Sequence, residues 1–272
     1  MRRIKMKQKQ SYIVGVAGGT GAGKTFLADM IKTARPEDTV VLSCDNYYKS
    51  LYDLLKVQNL LSTQDIQELE VFLKGERPNV FFDGQGMTEA GKNQGVLKFL
   101  EERNQFEEVK NRINFDLPED IDFELLASHL KELQSGRSVP RVEHHFKWGG
   151  RSFYEEDKDR IEPKPIIIVE GLMILSDPDL RSVFDLSVFI EAAPDLRLLR
   201  RFARDIKPKS EGGRDLNLAS EIKRYEEYVL PGWRQYVEPT KQYADMTLNS
   251  EKDGSFKEFV RLLSARIDSQ GL

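Results

Sequence analysis

Apolar and polar positions along this 272-residue chain fall into two textures. Short apolar runs, Tyr12–Ala17, Val40–Ser43, Ile166–Val169, Val188–Ile190 and Met246–Leu248, stand between stretches of helical spacing. Unbroken apolar runs of that length predict strands buried on both faces, and a period near 3.6 predicts helices. Their alternation predicts βαβ units around a parallel sheet, an α/β fold. No internal repeat interrupts it.

The middle of the chain follows a different pattern. Leu60/Leu61, Ile66, Leu69 and Phe72/Leu73 recur at helical spacing, and Val96/Leu97, Leu100, Phe106, Val109 and Ile113 do so more loosely. Between them, residues 82–95 hold four glycines without periodicity, which predicts an exposed loop. That loop is either a plain surface excursion or a lid or oligomerisation element. The expected organisation is one domain over 1–272 with a mostly helical insertion at about 54–113.

Charge and composition narrow the function. Forty-one basic and 45 acidic residues leave a net charge of −4, which argues against a nucleic-acid binder or a membrane-surface protein. No apolar stretch approaches the roughly 20 residues of a membrane span. The basic opening MRRIKMKQKQ lacks the apolar core of a secretory leader and reads as a frayed end. Cys44 stands alone, so neither a disulfide framework nor a cysteine-based zinc site is expected, and a reducing, cytoplasmic setting is.

The first apolar run leads into GGTGAGKT, residues Gly18, Gly19, Thr20, Gly21, Ala22, Gly23, Lys24 and Thr25, and a helix-like stretch leads out. This is the phosphate-wrapping pattern G-x-x-x-x-G-K-[S/T] in its strand-to-helix context. Glycines let backbone N–H groups turn inward around phosphates, and the following helix N-terminus adds positive potential. Lys24 can reach the outer phosphates, and the Thr25 hydroxyl can ligate Mg²⁺. The loop identifies a phosphate site but no reaction.

Two acids and a set of arginines go further. The second run delivers Asp45 at its C-terminal end, where a carboxylate can take a hydroxyl proton and sit close to a metal. The third run ends in Glu170, a position that commonly serves the Mg²⁺ shell in phosphate-loop proteins. After Pro194 and Asp195, which suit a helix start, Arg197, Arg200/Arg201 and Arg204 recur at three- and four-residue steps. With the flexible basic stretch that carries Arg214, they suit an arginine-rich lid at about 200–216 that closes over transferring phosphates.

These residues are joined by other matching segments: LSCDNYY at 42–48, NFDLPEDIDF at 114–123, VEGLMIL at 169–175, GGRDL at 212–216 and YEEYVLPGWRQYVEPTKQYADMTL at 225–248. In this order the chain resembles the uridine–cytidine kinase family, within the phosphoribulokinase/uridine kinase group of P-loop kinases, over about three quarters of its length. The resemblance implies a P-loop NTPase-type three-layer α/β/α domain that uses ATP or GTP with Mg²⁺. It makes Asp45 the general base toward a ribose 5′-hydroxyl, Asp116 the holder of ribose hydroxyls, and Glu170 part of the magnesium neighbourhood. Arg201, Arg204 and Arg214 would line the phosphates and the sugar. Family members often self-associate, so a homo-oligomer is a further expectation.

The departures lie on the base side. Where the family carries Tyr-Asp-Phe-x-x-His-Ser-Arg, this chain has His144, His145, Phe146, Lys147, Trp148, Gly149, Gly150 and Arg151. Phe146 and Arg151 are kept, His144 replaces the base-facing tyrosine, Gly149 replaces the histidine, and Arg224 replaces a glutamine. The implied activity is phosphorylation of a pyrimidine ribonucleoside. A kinase of another sugar, nucleoside or pantothenate-like alcohol is the alternative. A non-catalytic nucleotide-binding regulator is a third reading, although neither N-K-x-D nor LSGGQ occurs in the chain. Adjacent strand residues face opposite ways, so His144 and His145 are not expected to share a metal.

Overall fold

The computed structural model describes residues 11–75, 82–83, 86–87, 89–145, 150–154, 156–208, 210 and 216–271. All five apolar runs are strands: β1 (Tyr12–Gly18), β2 (Thr39–Ser43), β7 (Ile166–Gly171), β8 (Leu186–Glu191) and β9 (Met246–Asn249). They form one sheet in the order β2-β7-β1-β8-β9, with every pairing parallel. Both β1 and β7 are buried along their whole length, which explains their unbroken apolar character.

Side-chain alternation divides the sheet between two cores. Tyr12, Val14, Val16, Ile166, Ile168, Val188 and Ile190 face α1 (Lys24–Ala34) and the long C-terminal helix Ser255–Gln270. Ile13, Ala17, Leu42, Ile167, Val169 and Phe189 face the opposite layer. That layer is built on α6 (Phe123–Gln134), the short α7 (Pro178–Arg181) and Tyr47/Tyr48. The result is the expected three-layer α/β/α domain with a parallel central sheet.

The middle segment is richer than its pattern. Among the described residues it holds four helices, α2 (Leu51–Val57), α3 (Thr63–Gly75), α4 (Glu89–Glu102) and α5 (Phe106–Arg112), rather than two helical patterns around a loop. Asn59 and Asn104, with positive φ of 51° and 54°, follow α2 and α4; Asn104 divides the second expected stretch into two, and Asn59 sets α2 apart from the first, which is α3. The expected loop at 82–95 is instead the minimal hairpin β3 (Phe82–Asp83) and β4 (Gly86–Met87), followed by the first half of α4. Gly95 disguised that helix. A Cβ there would lie 2.4 Å from Leu73 Cδ2, so the glycine serves the close approach of α3 and α4. These helices enclose their own core of Leu51, Leu54, Leu55, Leu69, Phe99 and Leu100, and Phe115 packs against both this core and the main one.

The remaining elements frame the cleft. The hairpin β5 (Arg141–His145) and β6 (Gly150–Tyr154) is joined through residues outside those described. Helices α8 (Pro194–Ile206) and α9 (Leu218–Arg224) follow β8. From α9 the chain continues through a π turn (Tyr225–Val229), one α turn (Leu230–Gly232, α10) and a second π turn (Trp233–Val237). Such π turns recur at functional sites.

Candidate active site

Parallel register decides which residues meet. Ser43 is paired with Glu170, and Ala17 with Gly171, so β1, β2 and β7 end at one edge of the sheet. The phosphate loop leaves β1 there, between its two neighbours β7 and β8, where the crossovers diverge and ligands bind in open α/β sheets. Gly21 takes φ +72°, and Gly23 precedes the first turn of α1. Lys24 Nζ donates to Gly19 O at 3.0 Å across the loop. Burial lowers the Lys24 pKa, opposed by the carboxylates of Glu170 and Asp45.

Glu170 is the hub of the polar edge. Its Oε1 accepts from Ser43 Oγ at 2.7 Å, and its Oε2 lies 3.5 Å from Thr25 Oγ1. Burial raises its pKa, while Lys24 and the Ser43 hydrogen bond favour its charged form. Asp45 is the second residue of a short 3₁₀ turn, Cys44–Tyr47, that follows β2, and it is exposed. A hydroxyl and two carboxylates around the loop are hard oxygen donors of the kind that hold Mg²⁺ jointly with phosphates. Among the described residues no group of three or more His, Cys, Asp or Glu side chains could hold a metal alone. This donor set therefore fits an ion shared with a nucleotide better than a protein-only cage.

The arginine face of α8 lies against the loop. Arg201 Nη1 donates to Thr20 Oγ1 at 3.3 Å, and Arg200 Nη1 to Gly21 O at 3.2 Å. Arg204 is held by both oxygens of Asp205 at 2.7 and 3.1 Å, and its charge reaches Lys24. Arg201 also lies 3.5 Å from each of two buried acids, Asp205 and Glu221. Arg197 is buried, with its guanidinium 3.8 Å from the centre of the Trp233 ring and pressed on Gly19. Lys209 and residues 211–215, including Arg214, lie outside the described residues, as do Phe146 and Gly149.

A second group stands across the cleft. Asp116 N donates to Asn114 Oδ1 at 2.9 Å. Burial raises the Asp116 pKa, and the charges of Arg201 and Arg224 oppose that shift. Gly232 lets the turn after α9 approach it, since a Cβ there would lie 2.7 Å from Asp116 Cβ. Arg224 lies over the Phe115 ring at 5.7 Å. His144 is buried among Tyr48 and Phe115, with ring centres 5.6 and 6.2 Å away, whereas His145 is on the other face and bonds Ser152. Burial lowers the His144 pKa to about 4, so its ring is neutral near pH 7.

The structure thus brings Lys24, Thr25, Asp45, Glu170, Arg201 and Arg204 to one loop, and Asp116, His144 and Arg224 to the facing wall. Ser43, Glu221 and Trp233 are structural partners that motif reading passed over. Only the strand-end position of Ser43 hinted at its contact with Glu170.

Residues 76–255 match the Phosphoribulokinase / Uridine kinase family. The chain belongs to this family. It is 29% identical over 260 residues to a uridine kinase of Clostridium perfringens, covering 95% of this chain and 96% of that protein. To the uridine kinase of Halalkalibacterium halodurans it is 33% identical over 241 residues, with 88% and 86% covered. To that of Oceanobacillus iheyensis it is 30% identical over 271 residues, with 98% and 100% covered. A crystal structure of a putative fructose transport system kinase from Silicibacter superposes with a TM-score of 0.54 at 17% identity, covering 90% and 93% of the two chains. That likeness concerns the fold alone. As a member of the phosphoribulokinase/uridine kinase family, the chain has the architecture of a P-loop kinase for a small nucleoside or sugar. No helix among the described residues is long and apolar enough to cross a membrane.

Proposed function

We propose that this protein transfers the γ-phosphoryl group of ATP·Mg²⁺ to the 5′-hydroxyl of a pyrimidine ribonucleoside, giving UMP or CMP. The observation that carries this reading is the juxtaposition of Lys24, Thr25 and Glu170 at the phosphate loop, with Asp45 within reach of Lys24 and with Asp116 in the field of Arg201 and Arg224. The relatives named uridine kinase support the choice of acceptor.

The chemistry is one displacement. Asp45 takes the acceptor hydroxyl proton as the new O–P bond forms and the bond to the β-phosphate oxygen breaks, releasing ADP. Lys24, Arg201 and Arg204 offset charge on the phosphates, while Asp116 orients the sugar. Thr25 and Glu170, with Asp45 beside them, would hold Mg²⁺, which would supply neutralisation of phosphate charge. Asp45→Asn is expected to lower turnover about 10²–10⁴-fold while ATP still binds. Wild-type turnover in that variant would remove Asp45 as the base.

A second reading keeps the kinase and changes the acceptor. The neutral His144 ring on the wall formed with Tyr48 and Phe115, together with Arg224, favours it. A site built to hydrogen-bond one ring rejects others strongly, so these replacements bear on choice. ADP release measured across uridine, cytidine, other nucleosides, pantothenate and pentose phosphates decides. Turnover of uridine or cytidine above the rest supports the first reading; both inert beside an active alternative overturns it.

A further inference from the structure

Gln58 is one of the side chains through which the helices of 51–113 reach the acceptor wall. Gln58 follows the last turn of α2, its N–H closing that helix on Leu54 O at 3.0 Å. Its amide meets the backbone of Asn114 twice: Nε2 donates to Asn114 O at 2.8 Å, and Asn114 N donates to Oε1 at 2.9 Å. The side chain thereby completes both polar groups of one residue, as a neighbouring strand would. The paired contacts fix the orientation of the amide, since the flipped form would set two N–H groups against each other. The same Nε2 donates to Asp120 Oδ2 at 2.7 Å.

The loop held in this way is the one that carries Asp116. Asn114 Oδ1 accepts from Asp116 N, so the contact chain runs Gln58, Asn114, Asp116. At the far end Asp120 is fully buried, its Oδ1 makes no hydrogen bond among the described residues, and its carbonyl accepts from Lys49 N at 2.7 Å. Gln58 therefore grips the loop at both ends, and the five residues between the two contacts include Asp116. Phe115, between the gripped residue and Asp116, adds apolar contact with the helical core.

We infer that Gln58 is a positioning residue for the acceptor site, through which the helical segment sets the place of Asp116. This rests on the reading of Asp116 as the acceptor contact. Gln58 does not touch the phosphate loop in any described hydrogen bond, so its loss acts on one half of the reaction.

The test uses the full chain with Gln58→Met, which keeps side-chain length and volume but neither donor nor acceptor, and Gln58→Glu, which keeps an acceptor for Asn114 N. Asp116→Asn is measured beside them. The readouts are KM for uridine, or for the acceptor turned over in the panel above, the ATP dissociation constant without acceptor, kcat, and the thermal midpoint. Losing two or three hydrogen bonds of ordinary strength predicts a rise in acceptor KM of about 10–100-fold in Q58M. ATP affinity is expected within about twofold of wild type, and Q58E to be impaired in the same direction. If D116N raises acceptor KM and neither Gln58 variant does, the inference is overturned while the reading of Asp116 stands. If D116N leaves acceptor KM unchanged, the reading beneath the inference has failed. Equal loss of ATP and acceptor affinity, in step with thermal midpoint, would make Gln58 merely structural and also overturn it.

Discussion

Replacing Gly21 by alanine tests how the phosphate loop and the arginine helix fit together. The added Cβ would lie 2.3 Å from the carbonyl oxygen of Arg197, and 3.0 and 3.1 Å from its C and Cα. These are backbone atoms of α8, so no side-chain rotation relieves the contact. Restoring ordinary separation requires the loop and helix to part by about 1 Å, a misplacement that can cost on the order of 10²-fold in rate. Arg200 and Arg201 reach Gly21 O and Thr20 from that same helix. The left-handed φ of +72° adds about 1–2 kcal/mol for a residue with a Cβ. In a chain of this size that corresponds to a thermal midpoint lower by roughly 2–8 °C. Gly254→Ala is the matched control, because Gly254 also has a left-handed φ of +76° but nothing within 4 Å of the added atom. G254A is expected to lose stability and keep both kcat/KM and ATP affinity, while G21A loses all three. Calorimetric ATP titration, steady-state kinetics and thermal unfolding read the pair. G21A with kcat/KM and ATP affinity within about threefold of wild type would refute the reasoning, as would equal losses in both variants.

Two further outcomes follow from buried charge. Burial raises the Asp120 pKa to about 7, with Glu119 and Asp116 pushing the same way and Gln58 and Lys49 opposing. From about pH 4 to about 7 the folded protein then keeps a proton that the unfolded chain releases, so this group makes stability fall as pH rises through that window. Asp120→Asn is expected to remove that slope in urea unfolding measured from pH 4 to 8; an unchanged slope contradicts it. Glu221→Gln loosens the hold on Arg201 and is expected to lower kcat roughly 3–10-fold, with a coupling of about 1–2 kcal/mol to Arg201→Ala in a double-mutant cycle. Additive effects would show that Glu221 does not act through Arg201.

What could be read from letters alone follows the range of the forces involved. The five strands were legible because burial on both faces leaves an uninterrupted apolar run, and the loop because phosphate wrapping demands glycines and a lysine at fixed spacing. Asp45 and Glu170 were legible from their places at strand ends. In the middle segment the helical spacing over 60–73 and 96–113 was legible, but the break at Asn104 and the start of α4 were not, since Gly95 looks like a loop residue until Leu73 is beside it. Gln58, Glu221 and Trp233 are ordinary letters whose meaning arises only when residues 56, 20 and 36 positions away, Asn114, Arg201 and Arg197, fold against them.

Gly232 and Trp233 are consecutive, and on a helical path consecutive side chains point about 100° apart. One faces Asp116, and the other lies under Arg197 behind the phosphate loop and against Phe189. A single peptide unit, at the junction of α10 and the second π turn, thus faces both halves of the cleft. A substitution that turns this segment is expected to move both walls together, and any coupling it carries between the two halves is reciprocal. Donor and acceptor affinities, measured in one such variant, are then expected to change together.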